Sequence, residues 1–196
     1  MFIEPNIRQG PGGWIEVICG SMFSGKTEEL IRRMKRVRIA NLNGTVFKPS
    51  MDDRYHAERI VTHDDKWYDS VPVDDSRAIP ALCKGIDVVG IDEAQFFDDG
   101  IADVCEALAN GGARVIVAGL DMDYMGKPFG PMPGLLSIAD YVTKLHAICQ
   151  RCGAIAHYSH RISGDDRQVL LGEKDLYEPR CRNCFRPEPD TGADRR

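Results

Sequence analysis

The sequence predicts an α/β fold built on a mainly parallel sheet, and three observations carry that reading. Short apolar runs at 86–91 (IDVVGI) and 114–118 (RVIVA) have the character of strands buried on both faces. They alternate with segments of helical pattern, which is the order expected of strands joined by crossover helices. The first apolar run, 14–19, opens directly into a glycine-rich loop and then a charged helical stretch.

Taken in order, the strand over 14–19 (WIEVIC) leads through GSMFSGKT into a helix over 27–40. Asn43-Gly44 is a turn signal, and 45–48 reads as a second short strand. Residues 49–80 are polar and read as irregular, with Pro49, Pro72 and Pro80 breaking any run. The buried strand at 86–91 is followed by a helix over 100–110 and the strand at 114–118. Beyond Lys127 the chain is rich in Pro and Gly, and one more strand, 141–148, runs into a cysteine pair. From Cys149 the composition changes to cysteines, charges and short segments. The expected division is therefore 1–148 as a nucleotide-binding domain, 149–186 as a small cysteine-rich domain, and 187–196 as a disordered tail.

The bulk numbers bound the function. With 196 residues the chain can bury one medium-sized core plus an appendage. A net charge of −5 argues against a protein whose main task is gripping nucleic-acid phosphates. The N-terminus does not read as a signal peptide and no run approaches a membrane span, so a cytoplasmic location is expected. Of the seven cysteines, Cys19, Cys83 and Cys105 stand singly among apolar neighbours and read as buried, inert thiols.

Three motifs carry chemistry. Gly20, Gly25, Lys26 and Thr27 fit the phosphate-binding pattern G-x-x-x-x-G-K-[ST] between a strand and a helix. In that pattern backbone N–H groups of residues 20–27 (Gly20, Ser21, Met22, Phe23, Ser24, Gly25, Lys26, Thr27) cradle phosphate. Lys26 bridges the β- and γ-phosphates, and the Thr27 hydroxyl ligates Mg²⁺. The second motif, IDEAQFF, sets Asp92 and Glu93 at the end of a buried strand, on the side where such sheets bind ligands. Asp92 is expected to assist Mg²⁺, and Glu93 can take a proton from an attacking water or hydroxyl. The third is the pair of C-x-x-C knuckles, Cys149/Cys152 and Cys181/Cys184, whose four thiolates suit a closed structural Zn²⁺ site. The basic helix with Arg32, Arg33, Lys35, Arg36 and Arg38 reads as a solvated face or a subunit contact, with nucleic-acid binding as the alternative.

In one order, GSMFSGKTEEL, KPSMDDRY, IDEAQFF, GLDMDYMGKPFG, CQRCG and LYEPRCRNC together resemble the type II (cytosolic-type) thymidine kinases, from about residue 13 to residue 186. The resemblance implies a RecA-like P-loop domain, a small zinc-binding lasso domain, and transfer of the ATP γ-phosphate to the 5′-hydroxyl of thymidine, with deoxyuridine as a further acceptor. It makes Glu93 the general base and places Asp52, Arg54 and Gln95 with Asp92 on the phosphate side. It puts Met22, Phe96, Leu120, Phe129 and Tyr177 around the nucleoside, with Phe23 packing into the core behind the loop. Residues Gln168, Val169, Leu170, Leu171 and Gly172 would close over the base. A homotetramer and feedback by thymidine triphosphate are also implied; a membrane or nucleic-acid partner is not. A DNA-stimulated ATPase with a zinc ribbon, and a nucleotide-binding module without catalysis, are the other readings of the loop and the cysteines.

Overall fold

The computed structural model describes residues 12–50, 59–61, 67–162 and 176–186. In chain order the strands and helices are β1 (Trp14–Gly20), α1 (Lys26–Ile39), β2 (Gly44–Pro49), β3 (Arg59–Val61), β4 (Trp67–Asp69), β5 (Val71–Val73), α2 (Ile79–Leu82), β6 (Val88–Ile91), α3 (Ile101–Asn110), β7 (Arg114–Gly119), α4 (Met132–Ile138), β8 (Tyr141–Leu145), β9 (Ala147–Ile148), β10 (Ile155–Ala156), β11 (Tyr158–Arg161) and β12 (Tyr177–Arg180). Six strands form the main sheet in the order β5-β2-β6-β7-β1-β8, and every neighbouring pair is parallel. The carboxyl ends of all six strands therefore lie along one edge. That edge collects the loops after β1, β6 and β7, which the sequence keeps far apart.

Alternation along β1 sorts its side chains to two faces. Ile15, Val17 and Cys19 join Ile101, Val104, Cys105, Met132 and Leu135 of α3 and α4 in one apolar layer. Ile18 joins Leu30, Ile31, Met34 and Val37 of α1 in the other. Both faces of the sheet are thus covered, as wholly parallel sheets require.

Glu16 points toward α1 among these apolar residues and is fully buried. Arg33 Nη1 lies 2.6 Å from its Oε2 and Arg114 Nε 2.7 Å from its Oε1. The Trp14 indole N–H also donates to Oε1 at 2.6 Å. Arg33 reaches further, to Glu29 Oε1 at 2.8 Å and to the Thr143 hydroxyl of β8 at 3.0 Å. The basic helix is accordingly not a uniform solvated face. Arg32, Lys35, Arg36 and Arg38 are exposed, whereas Arg33 is buried because β1 supplies a carboxylate beneath it.

Other expectations change in detail. Residues 67–82 are ordered rather than irregular: β5 pairs with β2 at the sheet edge, where Pro72 does not interrupt a central ladder. The Pro/Gly-rich stretch contains α4, whose Pro133 lies in the first turn, where a missing N–H costs nothing. The strand expected over 141–148 is two. β8 completes the main sheet, and β9 leaves it to pair with β10 in an antiparallel hairpin around the first cysteine knuckle. A second two-stranded sheet, β11 with β12, leads to the other knuckle.

Candidate active site

The phosphate loop leaves β1 at Gly20, whose φ of +146° and close approach to the Leu145 carbonyl leave no room for a side chain. An added Cβ would lie 2.2 Å from that oxygen. The chain then enters α1 behind Gly25, so the first N–H groups of a long helix face the loop. Lys26 Nζ donates to the Ser21 carbonyl at 2.8 Å, closing the loop on itself. Burial lowers the Lys26 ammonium below its ordinary pKa; Glu93, then Asp92 and Asp121, oppose this. Among the described residues the buried Ser21 and Ser24 hydroxyl oxygens have no hydrogen-bond partner, as donors kept for an anion would be.

The Thr27 hydroxyl lies 3.2 Å from Asp92 Oδ2 and 3.4 Å from Oδ1. A hydroxyl and a carboxylate beside a phosphate loop form a hard-oxygen donor set of the kind Mg²⁺ takes. Asp92 is held at the end of β6 by its N–H bond to Phe47 of β2. Glu93 follows with φ +50° and ψ +42°, a left-handed conformation that costs a non-glycine residue about 1–2 kcal/mol. The short turn Ala94–Phe96 then carries Gln95 inward and Phe96 outward. Gln95 Nε2 donates to Glu93 Oε2 at 2.5 Å, and its Oε1 accepts the Leu120 N–H at 2.9 Å.

After β7 the GLDMDYMGKPFG segment folds back on itself. Asp123 Oδ1 accepts the N–H groups of Met125 and Lys127, both at 2.9 Å, and Met122 bridges to Pro128. This return brings Phe129 edge-on against Phe96, with ring centroids 5.6 Å apart. Tyr177 is buried on β12, its hydroxyl accepting from Arg161 Nη2 at 2.7 Å, while the Arg161 guanidinium stacks 3.6 Å from the Tyr124 ring centre. Asp52, Arg54 and Gln168–Gly172 (168–172) lie outside the described residues.

Met22 and Phe23 have distinct parts. The Met22 N–H donates to the buried Ser159 hydroxyl of β11 at 2.9 Å. Phe23 does not enter the core behind the loop. With φ +61° it turns toward Ala147, Cys149, Ala156 and Cys181 and packs against that small cluster. Sequence reasoning missed Ser159, which carries no motif of its own; only the β11–β12 pairing places it under the loop.

The four cysteine sulfurs lie within 4.8 Å of one another, with Cys152 and Cys181 at 3.6 Å. An ideal tetrahedron of Zn–S bonds has S···S edges of about 3.8 Å. Burial works against ionisation of Cys149, yet N–H groups from Cys181, Arg151 and Cys152 bring it down to about 6. Cys184 is pushed up to about 12, first by hydrogen bonding with the Cys152 and Cys181 sulfurs. Four thiols so close need a cation to ionise together, and the donor set suits a structural zinc. Cys19 and Cys105 are buried thiols raised by that burial to about 11 and about 12, and Cys83 is raised for the same reason.

A family model for thymidine kinase matches residues 13–185. The chain belongs to the thymidine kinase family. A thymidine kinase of Bacteroides thetaiotaomicron is 61% identical over 186 residues, 94% of each chain. One from a Rhodothermus species is 57% identical over 195 residues, 98% of this chain and 92% of its own. One from Bdellovibrio bacteriovorus is 52% identical over 179 residues, 91% and 88% of the two. Thymidine kinase membership makes the chain an ATP-dependent kinase with an α/β fold and a mainly parallel sheet. Among the described residues no helix is long and apolar enough to cross a membrane.

Proposed function

We propose that the protein transfers the γ-phosphate of ATP to the 5′-hydroxyl of thymidine, with deoxyuridine as a second acceptor. The observation that carries the residue assignment is the convergence of three strand ends: the phosphate loop after β1, Asp92-Glu93 after β6, and the Leu120–Phe129 return after β7. Residues 20–27 and the N-terminus of α1 hold the triphosphate. Lys26 exchanges the Ser21 carbonyl for β- and γ-phosphate oxygens, and Gln95 stands on the same side.

Thr27 and Asp92 are the residues that would hold Mg²⁺, which neutralises charge on the β- and γ-oxygens when bound. Glu93 takes the proton from the 5′-hydroxyl as its oxygen forms a bond to the γ-phosphorus and the bond to the ADP oxygen breaks. Met22, Phe96, Leu120, Phe129 and Tyr177 surround the nucleoside. Cys149, Cys152, Cys181 and Cys184 hold one structural Zn²⁺; with no open position it takes no part in the chemistry. Residues 1–148 form the kinase domain and 149–186 the zinc-binding lasso domain; 187–196 lie outside the described residues. We place the enzyme in the cytoplasm as a homotetramer subject to feedback by thymidine triphosphate.

The test is Glu93→Ala. Thymidine monophosphate formation from ATP should be abolished, while ATP still binds by calorimetry. Near-normal turnover in that variant would remove Glu93 from the base role.

A further inference from the structure

Gln95 is held more tightly than a residue that only touches phosphate needs to be. It is 3% exposed, and both ends of its amide are engaged across two strand ends. Its Oε1 is fixed by the Leu120 N–H after β7, and its Nε2 donates to Glu93 Oε2 after β6. Two glycines make the space. At Gly130, where φ is +48°, an added Cβ would sit 2.3 Å from the backbone carbonyl oxygen of Gln95. At Gly119 it would sit 3.0 Å from Gln95 Oε1 and 2.6 Å from Met132 Sδ. IDEAQFF and GLD therefore enclose the side-chain amide, while PFG packs against the backbone that carries it.

Glu93 needs such a partner. Its backbone is in a left-handed conformation, and its side chain is only partly buried on a flexible stem. A carboxylate in this setting samples several rotamers unless something fixes it, and misplacement by about 1 Å can cost about 100-fold in rate. A glutamine locked at its carbonyl end presents its N–H₂ in one direction only. That direction is toward Glu93.

We propose that Gln95 is a positioning residue for the phosphoryl transfer: it ties the Glu93 carboxylate to the Leu120 backbone, so that the proton acceptor is held in register with the nucleoside wall. The proposal rests on Glu93 being the general base. Gln95 acts on the step that Glu93 serves, not on ATP affinity, although one amide hydrogen is left that a phosphate could use.

The test compares Gln95→Met and Gln95→Glu in the full-length enzyme. Methionine keeps the volume and removes both bonds. Glutamate keeps an acceptor for Leu120 and sets a like charge against Glu93. Both should lower kcat by about 10- to 100-fold with little change in KM for ATP or thymidine. In a Glu93→Gln background, Gln95→Met should cost much less than it does alone, because the group it positions is gone. A wild-type thermal melt and far-UV CD spectrum in both Gln95 variants show that the fold survives.

If Gln95→Met raises KM for ATP and leaves kcat alone, the amide is a phosphate ligand and the proposal is overturned. Additive losses in the double variant overturn it as well, as does a normal kcat in both single variants. Unchanged turnover in Glu93→Gln would instead defeat the base assignment on which the proposal stands.

Discussion

Replacing Arg33 with Met tests whether the buried charges under α1 hold the fold together. Arg33 gives up its bonds to Glu16 Oε2 at 2.6 Å, Glu29 Oε1 at 2.8 Å and the Thr143 hydroxyl at 3.0 Å, among others. The Glu29 and Thr143 bonds are partly solvated and contribute about 1 kcal/mol or less each. The Glu16 bond decides the outcome, because Glu16 is fully buried and cannot recover its hydration. Removing one partner of a buried ion pair costs about 3–5 kcal/mol. Arg114 and Trp14 remain on Glu16 and retain part of its compensation, which brings the expected loss to about 2–4 kcal/mol. With a urea m-value of about 2.5 kcal/mol per molar, the unfolding midpoint should fall by about 1–1.5 M at fixed protein concentration. Arg33→Lys keeps the charge without the planar fork and should fall between the two. A midpoint that moves by less than about 0.3 M in Arg33→Met would mean that Glu16 is satisfied by Arg114 and Trp14 alone. The network would then be a packing feature with no energetic hold on α1.

Two further outcomes follow from described contacts. The Asp98 carboxylate accepts the Ser76 N–H at 2.9 Å, the Ser76 hydroxyl at 2.7 Å and the Gly100 N–H at 2.9 Å. Burial raises its pKa, but these hydrogen bonds outweigh it and leave a net lowering. A depressed folded pKa contributes stability that is present above the unfolded value and lost as pH falls through the folded one. Asp98→Asn should therefore cost about 0.5–1 kcal/mol at neutral pH, a small loss because the group is exposed. The difference from wild type should shrink below about pH 4, read by urea melts at both pH values. An equal cost at both would refute the ionised acceptor. Chelating the zinc should raise KM for thymidine and, because Phe23 packs on the cysteine cluster, KM for ATP as well. Kinetics after verified metal loss check this, and an unchanged ATP KM would show that the Phe23 contact does not support the loop.

The sequence made the fold class legible because buried parallel strands are short apolar runs, and 86–91 and 114–118 are such runs. It made the phosphate loop and the cysteine quartet legible because both are local spacings. What it hid depends on packing between distant segments. Arg33 looks like its exposed neighbours until β1 sets Glu16 beneath it. Phe23 is one apolar residue in a loop, and nothing in GSMFSGKT says which side it turns to. Gln95 reads as a member of its motif, whereas the group that fixes its amide, the Leu120 N–H, comes from the loop after the neighbouring strand. β5 and α4 were hidden by Pro72 and Pro133, each of which occupies a place where a missing N–H does no harm.

Between the last residue of β8, Leu145, and the first of β9, Ala147, there is a single residue, His146. One residue spans about 3.5 Å, too little to act as a flexible tether. β8 is in turn paired with β1 along five residues, ending at Gly20 beside Leu145. The first cysteine hairpin is thus a continuation of a sheet strand. For protein engineering this sets a cutting rule: a cysteine knuckle grafted from a relative has to bring its own β8 and the residues facing it. A junction at Cys149 would transplant the metal ligands and leave their aim behind.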